Sequence, residues 1–531
     1  MVQGFAGLHR KRRGLSALRA LPAFAIAIGA GLAHAISIAA PWSGQPLWWL
    51  QLLSLAALAW LCFHAPSWKR AALLGWVFGT AWLTGVHWWL FISLHVYGGL
   101  ASPLAVIAVV GLAAFLSSYY AFAGAVSAAF AGTRRWLNAL LFAAAWMLAE
   151  FMRVKFFTGF PWGAGGYAHV DGPLAFLAPY VGVHGIGLVA ALLAALIATT
   201  LVGRDVVKSW KPWATVAGAA GLIAACNLAA SSRVEPADGP RLSVALLQGN
   251  IPQDEKFQVG TGIPTALAWY GRQLVDSTAS LVVAPETAIP LLRQQLPEGY
   301  FEALSNRFTQ GQQAALVGMP LGGFSEGYTN SVMGFKPGAQ PYRYDKHHLV
   351  PFGEFIPPLF KWFTQMMNIP LGDFNRGSLT QPNFEWQGQR IAPNICYEDL
   401  FGEELGERFS DAANAPTLFV NVSNIGWFGN TVAIDQHLHI SRMRSLEFDR
   451  AMIRATNTGA TVIIDPRGRV THSLERHTRG VLLGDAQGRT SITPYAAWVS
   501  RFGLWPLYAL GLIVIAIAFQ LRIRTSRPGR D

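Results

Sequence analysis

Three side chains in the second half of the chain are of the types that perform covalent catalysis. Cys396 stands in Pro-Asn-Ile-Cys-Tyr-Glu-Asp, Glu286 in Val-Val-Ala-Pro-Glu, and Lys346 in Tyr-Asp-Lys-His-His-Leu. Each alone has an ordinary structural explanation: a buried small hydrophobe, a strand-end surface carboxylate and a solvated cation. Together they make a working set. A free thiol has a pKa of about 8.5, so a base must take its proton during attack on a carbonyl carbon, and a partly desolvated Glu286 can do that. The tetrahedral intermediate carries negative charge on the former carbonyl oxygen, which Lys346 can neutralise; losing one oxyanion donor typically costs about 2.7–4 kcal/mol. No histidine is required, and His437 and His439 lack the companions of a metal site. Neither a metal nor an organic cofactor is expected.

The elements that must hold these groups are strands alternating with helices between about 241 and 485. Short apolar runs at 242–247, 281–284, 314–317, 391–395, 417–422 and 461–464 have the length and continuity of strands buried on both faces. Two of them end in the chemistry, at Pro285-Glu286-Thr287 and at Cys396. Helical spacing at 299–310 and 436–449 completes an α/β class.

The rest of the chain is of another kind. Of 531 residues, 52% are hydrophobic and only 13% charged, with mean hydropathy +0.32. Globular chains carry about 25% charged residues, so the composition is that of a membrane protein. The net charge of +12 does not point to nucleic acid, because between 231 and 503 acidic residues outnumber basic ones, 25 to 23. Eight apolar stretches are expected to span: 21–40, 46–64, 71–94, 103–131, 136–152, 174–202, 213–230 and 504–521. The expected organisation is a membrane domain of seven transmembrane helices (1–230), a polar catalytic domain (231–503), and an eighth transmembrane helix with its tail (504–531).

Basic residues cluster before the first span (Arg10 to Arg13, Arg19), after the second (Lys69, Arg70), the fourth (Arg134, Arg135) and the sixth (Arg204, Lys208, Lys211), and in the tail from Arg522. By the positive-inside rule both termini are cytoplasmic and the large domain lies on the opposite side. The start also matches a cleavable leader ending at Ala33-His34-Ala35, but its apolar run is long for one. The ionisable residues His34, His64, His87, Glu150, His169 and His184 are read mainly as interfacial. Cys62 and Cys226 fall in spans, so Cys396 has no partner in its own domain; an unpaired thiol in an oxidising compartment points to chemistry of its own. Between Phe352 and Phe374, Phe355, Ile356, Leu359, Phe360, Trp362, Phe363, Met366, Met367, Ile369 and Leu371 make a segment too apolar for a solvent loop. It reads as a mobile arm beside Lys346 that meets lipid tails, in preference to a covered core helix.

The ordered motifs around Glu286, Lys346 and Cys396 resemble the nitrilase superfamily of carbon–nitrogen hydrolases. The eight spans and Tyr-Asp-Lys-His-His-Leu-Val-Pro-Phe-Gly-Glu-Phe narrow the resemblance to the bacterial apolipoprotein N-acyltransferase family, over essentially the whole chain. The resemblance implies an α-β-β-α sandwich inserted between the last two spans, with Glu286 as general base, Lys346 as oxyanion-stabilising lysine and Cys396 as nucleophile. It implies supporting roles for Glu354, Tyr397, Glu398 and Asn330, and lipid contacts for Trp427 and Phe428. Phe355 is added from the apolar segment. Phe257 follows Lys256 where family members can carry Lys-Trp, which marks a departure from the pattern.

The implied reaction has two steps. Cys396 takes an acyl chain from a phospholipid as a thioester, and the α-amine of a diacylglyceryl-cysteine at an apolipoprotein's N-terminus then receives it. The implied setting is the bacterial inner membrane with a periplasmic catalytic domain, and nothing in the sequence argues for more than a monomer. A membrane-anchored amidase would keep the triad without needing eight spans or an apolar arm. A non-catalytic lipid-binding scaffold would have no reason to keep all three reactive groups.

Overall fold

A computed structural model describes residues 21–200, 218, 221, 223–229, 239–356 and 374–526. Half of the expected seventh span lies outside these residues, as does most of the apolar segment between Phe352 and Phe374.

The first half is helical: α1 (Leu21–Ile38), α2 (Trp48–Phe63), α3 (Trp68–His87), α4 (Ser102–Leu116), α5 (Ser118–Ala129), α6 (Arg135–Lys155) and α7 (Ala178–Thr200). Small residues set how closely these helices cross. A side chain on Gly31 would meet the Phe78 carbonyl at 2.4 Å, and one on Gly75 the Tyr120 carbonyl at 2.4 Å. In lipid, where apolar surface gives no net drive between helices, such close backbone approach is what holds a bundle together. Five described helices are long and apolar enough to cross a membrane, α4 and α5 counting as one; a sixth span results if α3 and the segment Leu90–Tyr97, bent by 62°, are taken together. The helix α2 is apolar but has 16 residues.

Most of the ionisable residues named above for this half are enclosed by protein. His34, His87, Glu150, His169 and His184 are buried, and of the six only His64 is exposed. The loop 156–177 folds back among the helices and partners several of their polar groups. Its Gly165 amide donates to Glu150 Oε1 (2.8 Å), Gln51 Nε2 donates to the Gly165 carbonyl (2.9 Å), and His169 Nε2 meets Gln51 Oε1 at 2.9 Å. Backbone polar groups away from water need partners, and these side chains supply them.

The second half contains two six-stranded sheets. The first runs β12-β1-β2-β3-β4-β5: β1 (Arg241–Gln248), β2 (Leu281–Ala284) and β3 (Ala314–Gly323) are parallel, while β4 (Gly327–Phe335), β5 (Tyr342–Asp345) and β12 (Gly480–Gln487) pair antiparallel. The second runs β11-β10-β9-β8-β7-β6. There β7 (Gln389–Ile395), β8 (Leu418–Ser423) and β9 (Ala451–Thr456) are parallel, flanked by β6 (Phe384–Trp386), β10 (Val462–Ile464) and β11 (Val470–Ser473).

One apolar core, including Val244, Leu281, Leu316, Ile395, Val420 and Ile453, joins residues of both sheets. The other face of the first sheet packs under α8 (Gly262–Asp276) and α9 (Tyr300–Thr309). The other face of the second packs with α10 (Ala433–Phe448) and α11 (Pro494–Phe502), in a core continuous with the helical half and with α12 (Trp505–Ser526). Helix α10 carries much of the joint. Trp89 and Trp162 Nε1 both donate to Gln436 Oε1 (3.0 and 2.7 Å), His439 Nε2 meets the Gly44 carbonyl (2.7 Å), Arg442 pairs with Asp171, and Glu447 accepts from the Val183 amide (2.6 Å).

Candidate active site

The carboxyl ends of parallel strands are where open α/β sheets present reactive groups, and both sheets do so here. Glu286 follows β2, Lys346 follows β5, and Asn330 sits on β4 between them. From the second sheet come Cys396, one residue beyond β7, and Asn424, one beyond β8.

The first-sheet groups form one buried network. Lys346 Nζ lies 2.9 Å from Glu354 Oε1 and 3.4 Å from Glu286 Oε1. Asn330 Nδ2 donates to both carboxylates at 2.7 Å, and the Asn330 carbonyl accepts from the Lys346 amide at 2.8 Å. Glu354 Oε2 accepts from the Val350 amide (2.8 Å) and Glu286 Oε2 from the Asn424 amide (2.8 Å), the latter reaching across to the second sheet. Burial alone would depress the lysine and raise the glutamate. Their mutual attraction reverses both: Glu354 and Glu286 hold Lys346 above its ordinary value, while Lys346, Asn330 and the Asn424 amide bring Glu286 below its own. The ammonium has three donor hydrogens and uses two on the carboxylates, which leaves one for an incoming oxygen.

Cys396 is a free, half-buried thiol at the first position of the 3₁₀ turn Cys396–Leu400, with φ +51°. A non-glycine residue pays for this left-handed conformation unless its surroundings hold it there. The hold is visible. The Cys396 carbonyl accepts from His437 Nε2 (3.2 Å) and Asn421 Nδ2 (3.3 Å). Arg454 Nη2 lies 2.8 Å from His437 Nδ1; since arginine only donates, Nδ1 is the acceptor and Nε2 carries the proton. That Nε2 also donates to Asp399 Oδ1 at 2.9 Å, and Asp399 Oδ2 accepts from Ser441 Oγ at 2.5 Å. All four side chains are fully buried. The thiol is pushed up to about 12, chiefly by burial, with Glu286 adding to the shift and Lys346 opposing it.

Glu398 braces the two motifs against each other. Its Oε1 accepts from the His347 amide (2.7 Å), and its Oε2 from the Ile395 amide (2.6 Å) and the Tyr344 hydroxyl (2.8 Å). Tyr397 points the other way, donating to the Gly159 carbonyl of the helical half at 2.9 Å.

Two families match this chain: the one described as apolipoprotein N-acyltransferase N-terminal domain, over residues 33–196, and carbon-nitrogen hydrolase, over residues 243–495. The apolipoprotein N-acyltransferase of Verminephrobacter eiseniae is 59% identical, over 90% of this chain and 92% of that one. Those of Ralstonia nicotianae (45%; 90% and 90%) and Bordetella bronchiseptica (41%; 95% and 98%) follow. The chain belongs to the apolipoprotein N-acyltransferase family. Among solved structures, a carbon–nitrogen hydrolase superfamily protein from Xanthomonas campestris is 20% identical with a TM-score of 0.35, covering 50% of this chain and 96% of that one.

In this member of the apolipoprotein N-acyltransferases, Glu286, Lys346, Glu354 and Asn330 come together in one network, while Glu398 and Tyr397 flank Cys396. Trp427 and Phe428 lie on the 3₁₀ turn Ile425–Phe428, just after Asn424, and face the helical half. The Phe428 ring is 4.2 Å from Trp89 and Trp427 is 5.8 Å from Tyr97, centre to centre. Phe355 follows Glu354 and lies under the Arg376 guanidinium, 5.2 Å from its ring centre. Phe257 is half-buried in the turn 253–257 and makes no aromatic contact with another described residue.

Sequence reasoning missed Lys256, Asn424 and the Asp399–His437–Arg454 group. Asn424 carries the same signal as Glu286 and Cys396, a polar residue just past an apolar strand. Arg454 is a charge inside the β9 run, and such a charge needs buried partners.

Proposed function

We propose that the chain is a phospholipid-dependent N-acyltransferase acting on apolipoproteins through a thioester on Cys396. The family match supports the reaction class. The observation that carries the assignment of residues is the network joining Glu286, Lys346, Glu354 and Asn330 at the strand ends beside the strained thiol.

In the first half reaction Cys396 Sγ attacks the ester carbonyl carbon of the donor. A thiol near 12 does not ionise at rest beside an anionic Glu286. Proton transfer to Glu286 is therefore coupled to C–S bond formation, as negative charge leaves sulfur for the carbonyl oxygen and the free hydrogen of Lys346. Glu286 returns that proton to the departing lysophospholipid alkoxide. In the second half the α-amine of diacylglyceryl-cysteine attacks the thioester, the C–S bond breaks, and the proton passes through Glu286 to sulfur.

The architecture in this reading is an eight-span bundle with an inserted α-β-β-α sandwich: membrane domain 1–230, catalytic domain 231–503, and the last span with its tail from 504. The basic loops support cytoplasmic termini and a periplasmic catalytic domain in the inner membrane. The contacts of Trp427 and Phe428 with the helical half support a donor that reaches the thiol from the bilayer, with Phe355 and Phe257 as further lipid-facing candidates.

Intact-protein mass spectrometry tests this. Wild type incubated with phosphatidylethanolamine should gain one fatty-acyl mass, removable by hydroxylamine and by an acceptor lipopeptide, and Cys396→Ala should gain none. A folded wild type with a free thiol and no adduct would overturn the lipid donor.

A further inference from the structure

The network holds a second lysine that the mechanism above leaves unused. Lys256 is 1% exposed, and its Nζ donates to the main-chain carbonyl of Glu286 at 3.1 Å. Unlike Lys346, it contacts no carboxylate among the described residues. The turn that carries it is fixed: Gln253 Oε1 accepts from Asn424 Nδ2 at 2.9 Å, and a side chain on Gly262 would lie 2.0 Å from the Glu255 carbonyl and 2.9 Å from the Lys256 Cα. The titratable groups facing the amine are Glu286 and Cys396, both from other elements; Glu255 and exposed Asp254 share its own turn. Burial brings Lys256 down to about 7, against the pull of those two groups. A buried lysine without an ion pair is cheapest as a neutral amine, which has a lone pair to offer.

The two half reactions differ by one proton. Acylation is neutral overall, because the thiol proton leaves on the lysophospholipid. The acceptor, however, is an α-amine with a pKa of about 7.7–8.0, so at pH 7 about nine-tenths of it arrives as ammonium. An ammonium must lose two protons to become an amide nitrogen, and the thiolate takes only one.

We propose that Lys256 takes the other, as the base that unmasks the acceptor's α-amine in the second half reaction. This rests on the acyl-transfer reading above. The neutral amine of Lys256 accepts a proton from the ammonium, and the freed amine attacks the thioester carbon. The C–N bond forms, the C–S bond breaks, and the nitrogen's second proton reaches sulfur through Glu286. Lys256 then releases its proton to water before the next acceptor arrives.

Single-turnover kinetics on the full-length detergent-solubilised protein test this. Cys396 is acylated from dipalmitoyl phosphatidylethanolamine, and the thioester is then discharged with a diacylglyceryl-cysteinyl peptide between pH 6 and 9.5. In Lys256→Met the ratio of deacylation to acylation rates should fall about tenfold at pH 7, the neutral fraction of the acceptor, and return to the wild-type ratio above pH 9. Lys256→Arg keeps a cation and a donor but does not give up its proton, and should show the same pH-dependent deficit. A wild-type ratio at pH 7 in either variant, or a deficit that persists at pH 9.5, would overturn the role. If wild type forms no acyl adduct at all, the parent reading fails first, and this one with it.

Discussion

The two sheets serve the same site by different means. The first places charge: Lys346 pairs with both Glu286 and Glu354, and Asn330 bridges the two carboxylates. The second places a neutral sulfur and keeps its charged pairs one layer back, where Asp399, His437 and Arg454 hold the Cys396 carbonyl. In the proposed reaction the electrostatics of one side meet the substrate directly, and those of the other act through backbone geometry. The difference teaches that residues on the first side should fail in chemistry, and residues on the second should fail in alignment.

The largest effect should come from the first sheet. Lys346→Met removes the proposed oxyanion donor and leaves two buried carboxylates without their cation. Turnover should drop by about 10²–10³-fold, with about 3–5 kcal/mol lost from stability in denaturant titrations. Glu286→Gln keeps the shape but cannot accept a proton, and acyl-adduct formation should slow by about 10²–10⁴-fold with phospholipid binding unchanged. An adduct forming at the wild-type rate would remove Glu286 from the role of base.

His437→Gln breaks the second side's hold more gently. A misplacement of about 1 Å can cost about 10²-fold, and this variant should lose up to that in kcat with little change in KM. A large KM change with normal kcat would erase the distinction between the sheets.

Acid should strain both sides together. Glu286 and Asp399 both sit below the usual carboxylate range, since their partners more than offset burial. A depressed carboxylate contributes stability above its unfolded pKa of about 4, and that contribution is lost as pH falls through the folded value. The Tm should therefore decline on acidification below about pH 4, with a shallower decline in Glu286→Gln and in Asp399→Asn. A flat Tm between pH 2.5 and 5 would mean that neither carboxylate is depressed. The smallest effect is expected at Phe257→Trp, where turnover should stay within about twofold, as for a substitution away from packed or charged partners.

Apolar runs revealed six of the twelve strands among the described residues, because a strand buried on both faces is a local pattern. The missed ones have no such run: β4 reads Gly-Tyr-Thr-Asn-Ser-Val-Met-Gly-Phe, β11 is fully exposed, and β9 is interrupted by Arg454. Glu286, Lys346 and Cys396 were legible because their motifs are contiguous in the chain. Lys256 and the His437 group were not, since their meaning lies in partners between 17 and 41 residues away. The burial of Glu150 and His169 was not legible either, since their partners Gly165 and Gln51 lie 15 and 118 residues away.

The second sheet's outer face, with the α10 and α11 that cover it, shares one core with the helical half. Phe401, Phe419 and Met443 belong to the same apolar cluster as Ala27, Trp82 and Trp146 of the helices, and Tyr397 hydrogen-bonds to Gly159 across that joint. A chain cut before residue 241 would strip the helices from α10, α11 and Tyr397, close to the turn that holds Cys396 in its left-handed conformation. The turn at Cys396 is thereby tied to the helical half, and its surroundings are complete only where those helices are already seated.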